Sequence, residues 1–74
     1  MNNLSLKQLR LLAGLTQKEA ARLIGVSPVS LCKWESGVFK PTPDKREKLA
    51  SIYNVSISTI NDTINKGEHY EKLN

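Results

Sequence analysis

The sequence predicts an all-α protein, a compact bundle of five short helices, and three observations carry that expectation. Each segment with helical apolar spacing opens at a Ser or Thr, and the first four close at Gly or Asn. These residues suit a helix N-cap and a left-handed C-cap respectively. No stretch alternates apolar and polar residues as a half-buried strand does. No repeat or long linker divides the chain, and 74 residues suffice for one domain with one small core.

The first helix is expected over residues 5–13. Ser5 and Gln8 form a capping box, in which each side chain satisfies the other's backbone N–H. Leu6, Leu9 and Ala13 share a face, and Gly14 stops the helix. Leu15 then leads into the stretch that organises the chain, LTQKEAARLIGVSPVSLCKWESG. Thr16 and Glu19 form a second capping box for a helix over 16–24, which turns Ala20, Ala21 and Ile24 inward and Lys18 and Arg22 outward. The small alanines let the next helix approach closely. Gly25 ends this helix, Ser27 caps the third, and Pro28 occupies the first turn, where proline is tolerated. The link Gly25-Val26-Ser27 is of the length that sets two helices at a steep angle, as in a helix-turn-helix.

The third helix is expected over 28–36, with Leu31 and Trp34 toward the core and Pro28, Val29, Cys32, Lys33 and Ser36 outward. Gly37 closes it, and VFKPTP follows as a loop. Thr42 caps the fourth helix, with Pro43 in its first turn and Asp44 near the positive end of its dipole. Leu49, Ile52 and Tyr53 form its apolar stripe, and Asn54 is its left-handed terminator. Ser56 caps the fifth, which is expected to bury Ile57, Ile60 and Ile64. Residues 1–65 thus form the domain and 66–74 a polar tail, with Gly67 as a stop signal.

Net charge is +4, and it is unevenly placed. Residues 1–48 hold nine Lys and Arg against four Asp and Glu, whereas residues 49–74 hold two against three. The basic end contains the paired helices, as a phosphate-binding surface requires. No apolar run approaches membrane-spanning length, and the N-terminus lacks a basic region followed by an apolar core. The single Cys32 forms no internal disulfide and implies no metal cluster, so the expected location is the cytoplasm. One His, one Cys and no phosphate loop or metal spacing argue against an enzyme, and no cofactor is expected. His69 lies in the polar tail, away from any Cys.

The LTQ, GVS and WESG blocks, followed by KPTP and LASIYNVS, resemble the lambda-repressor-like helix-turn-helix group, also called the XRE family. The resemblance covers about residues 5–65. It implies a lambda-repressor-like bundle whose third helix enters the DNA major groove, a docking mode for which such repressors are the reference cases. On this resemblance Gln17 contacts a DNA phosphate, consistent with its place at a helix N-terminus. An ordinary exposed glutamine is the plainer alternative. Val29, Ser30 and Lys33 match the base-reading surface, with Lys33 suited to guanine O6 and N7 and Val29 to a thymine methyl. The alternatives are phosphate contact alone for Lys33, and phosphate or a bond to its own helix for Ser30. Pro28 stands where relatives often carry a polar base-reading side chain, and it offers a base only apolar contact.

The same resemblance pairs Arg10 with Glu35 as an ion pair between the first and third helices, with Arg10 also within reach of a phosphate. Two solvated charges are the alternative. Lys40 and Ser36 match positions that meet the DNA backbone, Ser36 replacing a common asparagine. Lys7 and Lys45 read as solvated charges, Trp34 as a core plug and Cys32 as a flank residue.

The expected function is that of a sequence-specific, DNA-binding transcriptional regulator of bacterial or phage type. Its partner is double-stranded DNA, bound by a homodimer on a palindromic operator, with no membrane and no small-molecule ligand. Val38, Phe39 and the end of the fifth helix near Ile64 are the candidate dimer surface, although Phe39 equally suits a cover over the fourth helix. A one-domain chain further suggests control by concentration or by a partner protein. The alternative function is a protein-interaction module, such as an antitoxin or adaptor with only non-specific DNA binding. Its docking segment would be EHYEKLN, with Tyr70 and Leu73.

Overall fold

Each helix begins at a hydroxyl that accepts the backbone N–H three residues on: Ser5, Thr16, Ser27, Thr42 and Ser56 receive Gln8, Glu19, Ser30, Lys45 and Thr59. The computed structural model describes residues 4–72, with side chains to residue 65. Its helices are α1 (Leu6–Leu12), α2 (Gln17–Ile24), α3 (Pro28–Ser36), α4 (Pro43–Tyr53) and α5 (Ile57–Lys72), and no strand occurs among the described residues. Both expected capping boxes form, with Gln8 and Glu19 returning to the Ser5 and Thr16 N–H groups.

The turn between α2 and α3 is set at Gly25, whose φ is +92°. A Cβ there would meet no atom within 4 Å, so glycine is required by conformation and not by space. The N–H groups of Gly25 and Val26 both donate to the Ala21 carbonyl, which closes the helix end. Asn54 ends α4 at φ +57°, the left-handed conformation that asparagine tolerates best after glycine.

α2 packs on α3 and α4, α4 on α5, and α1 touches α3, α4 and α5. Ala20, Ala21, Ile24, Leu31, Leu49 and Ile60 are completely buried where these elements meet, with Leu6, Leu9, Ala50, Tyr53 and Ile64 around them. Polar ties join the layers. Arg46 donates from Nε to the Pro41 carbonyl and from Nη1 to Asn61, linking the loop after α3 to α5. Lys48 Nζ reaches the Ile24 carbonyl at the end of α2. The Thr63 hydroxyl meets the Leu4 carbonyl at 3.2 Å.

Three expectations need correction. Ala13 is exposed, because α1 ends at Leu12 and Ala13 is its C-cap. Ile57 is 41% exposed, because it stands in the first turn of α5, before the helix meets the core at Ile60. Ile64 is buried as expected, so its own side chain is not part of the surface near it. Gly67 does not end α5, which continues to Lys72. Glycine inside a helix costs only about 1 kcal/mol, too little to stop one by itself. The side chains of His69, Tyr70 and Leu73 lie outside the described residues.

The two isoleucines of α5 therefore differ in worth. Ile60→Ala is expected to lower stability by about 2–5 kcal/mol, as for a fully buried aliphatic side chain. Ile57→Ala is expected to cost less than about 1 kcal/mol, as surface sites do. Urea denaturation of both variants measures the contrast.

Candidate nucleic-acid interface

The outward face of α3 presents Pro28, Val29, Cys32, Lys33 and Ser36 to solvent. Ser30 is half-buried at its edge, and its hydroxyl accepts from Ser27 Oγ at 3.1 Å. This is a local bond to the N-cap of its own helix. Val29 is 62% exposed, which leaves an apolar side chain in water at the start of the helix. The Ser36 hydroxyl donates to the Lys33 carbonyl, so its single proton is engaged within the helix. Lys40 is exposed in the loop beyond.

Behind this face lies a buried ion pair. Arg10 Nε donates to Glu35 Oε2 at 2.7 Å, with both side chains about one-twentieth exposed. Arg10 Nη2 reaches Glu35 Oε1, and Nη1 donates to the Leu15 carbonyl at 2.9 Å. Gln17 Nε2 also donates to Glu35 Oε1, at 2.9 Å. The hydrogen bond that Arg10 donates to Glu35 raises the Arg10 pKa above its ordinary value. Arg10 is 5% exposed and turned inward, so the phosphate contact expected of it does not fit this burial. Gln17 remains half-buried at the start of α2, near backbone N–H groups that a helix's first turn leaves without intrahelical acceptors.

Tyr53 lies against the same network. Its hydroxyl is buried without a hydrogen-bond partner. Burial, reinforced by the Glu35 charge, pushes its pKa up to about 12.

Two contacts have no local signal in the sequence. The Gln17–Glu35 bond spans 18 residues and depends on how α2 crosses α3. The Lys33 ammonium sits 5.0 Å from the centre of the Phe39 ring. Phe39 itself is 55% exposed and outside the core. Trp34 packs on the core as a partly buried side chain, and Cys32 is exposed. Among the described residues no group of acidic, His and Cys side chains is placed to hold a metal. No helix among them is long and apolar enough to cross a membrane.

A family model described as helix-turn-helix matches residues 6–60. The chain belongs to that family, in its XRE-type branch. Among curated proteins it is similar to the HTH-type transcriptional regulator ImmR of Bacillus subtilis (strain 168), with 35% identity over 71 residues. The match takes in 93% of this chain and 56% of that protein, so the chain spans about half the length of this relative. No solved structure matches it.

Removing one partner of the ion pair strands a buried charge, so Arg10→Ala is expected to cost about 3–5 kcal/mol. Replacing both, as Arg10→Met with Glu35→Met, is expected to cost less than the sum of the single changes, which a double-mutant cycle in denaturant measures. Tyr53 gives a pH test. A phenol pKa raised from 10.0 to about 12 favours the neutral form in the folded state. Its contribution is fully present below the unfolded value and is lost as pH rises through the folded one. Stability is expected to fall over that alkaline window, and Tyr53→Phe to remove that part of the fall. Unfolding midpoints at about pH 9 and pH 11 for both proteins check this.

Proposed function

We propose that this chain is the DNA-binding part of a transcriptional regulator that reads sequence with the outward face of α3. The observation that carries this reading is the exposed row Pro28, Val29 and Lys33 on a helix fixed from behind by the buried Arg10–Glu35 pair. A side chain discriminates between bases only if its helix enters the groove in a set orientation, and the clamp supplies that orientation. Membership of the helix-turn-helix family and the likeness to a protein described as a transcriptional regulator support it.

Within this reading Lys33 donates to guanine O6 or N7, and Val29 packs on a thymine methyl. Pro28 adds apolar surface at the entry to the groove. Ser30 holds the first turn of α3 through Ser27. Gln17 and Lys40 meet phosphates on either side, and Ser36 does so only by releasing its bond to the Lys33 carbonyl. The excess of Lys and Arg in residues 1–48 draws the domain to the duplex. Two copies bind a palindrome with half-sites about one helical turn apart. The exposed side chains Val38 and Phe39 are the surface offered for that pairing. The site of action is the cytoplasm.

Selection from a random duplex library at near-physiological salt tests this reading. A recovered palindrome supports it, whereas binding that shows no motif and fades equally with salt for all duplexes overturns it. On the selected duplex, Lys33→Ala is expected to relax base preference, losing about 1–3 kcal/mol of discrimination. Gln17→Ala is expected to weaken cognate and scrambled duplexes alike. Equal losses on both duplexes for Lys33→Ala would remove its base-reading role.

A further inference from the structure

We propose that Phe39 is a specificity-determining positioning residue that acts through Lys33, holding the lysine ammonium in place for base reading. This inference rests on the DNA-binding reading above and adds a residue to it. Three observations point to it. The Lys33 Nζ lies 5.0 Å from the Phe39 ring centre, within the range in which the negative ring face attracts a cation. The backbone of Phe39 is fixed to the same lysine: the N–H groups of Val38 and Phe39 donate to the Lys33 carbonyl at 2.9 and 3.3 Å. Phe39 is 55% exposed and outside the core, so burial in the core does not account for its position.

The chemistry favours positioning over sequestration. An ammonium carries three donors, and a ring beneath it engages one side only. The remaining N–H groups stay directed away from the ring, toward solvent or a base edge. A lysine left free on α3 samples many rotamers, and ordering it on the DNA costs side-chain entropy. With the ring beneath it, part of that cost is met before binding. Lys33 thus acts as a point donor with a preferred location, and the loop after α3 contributes to base preference without touching a base.

The test uses the full 74-residue chain and the duplex recovered by selection, with a scrambled duplex as control. In the free protein, NMR is expected to show the Lys33 ε-methylene protons shifted upfield by the ring current. The shift is lost in Phe39→Leu and kept in Phe39→Trp. On DNA, Phe39→Leu is expected to lower the ratio of cognate to scrambled affinity about two- to fivefold, the worth of an exposed cation–π contact. Phe39→Trp is expected to retain the ratio, and Phe39→Leu to have no further effect in a Lys33→Ala background. Circular dichroism confirms that the fold is kept in each variant. A loss that is equally large in the Lys33→Ala background would show that Phe39 acts through the pairing of two copies alone and not through Lys33, and would overturn the proposal. So would tighter binding by Phe39→Leu, which would mean that the ring withholds the lysine. A selection that yields no motif overturns the DNA-binding reading itself, and this inference with it.

Discussion

The Arg10–Glu35 pair is the constraint on which the placement of α3 depends. Burying two opposite charges is costly unless geometry and additional hydrogen bonds compensate. Here they do. Arg10 spends Nε and Nη2 on Glu35 and Nη1 on the Leu15 carbonyl, while Glu35 also takes the Gln17 amide. One network therefore joins α1, the link after it, the start of α2 and the end of α3. An apolar contact tolerates sliding, but a guanidinium facing a carboxylate at 2.7 Å does so poorly. The pair thus fixes the rotation and depth of α3, and the caps at Ser27 and Gly37 fix its length.

Much of the fold was legible because its signals are local. A Ser or Thr followed three residues later by a donor N–H, and a Gly or Asn where the backbone must turn left-handed, mark boundaries without knowledge of the partner helix. The core at Ala20, Ala21, Ile24, Leu31 and Leu49 followed from helical spacing. The reading failed where tertiary context decides. Ala13 and Ile57 have the right spacing but stand at helix ends, beyond the neighbour they would pack on. Gly67 carries a stop signal too weak to act alone. At the candidate site, the Arg10–Glu35 pair came from a resemblance, and the structure forms it. The Gln17–Glu35 hydrogen bond and the contact of Lys33 with the Phe39 ring arise from helix crossing and loop path, which local spacing does not encode.

The same division separates what is stiff from what is adaptable. The core and the ion pair lie behind α3, and the charged and apolar side chains with open surroundings lie in front. Leu11, Leu12 and Leu23 are also exposed, at 56, 74 and 57%, on helices that pack their other faces inward. Scattered exposed leucines are normal on a small domain, which has too little polar surface to cover itself.

α3 buries one side chain completely, Leu31. Trp34 and Glu35 add its other inward attachments, and five of its nine residues face water. The helix is consequently a cassette. Its outward letters can be rewritten together without disturbing the core, the caps or the clamp. On the proposed reading, a new DNA preference would come from exchanging surface residues on an unchanged frame, the five outward positions of α3 together with Phe39 in the loop behind them.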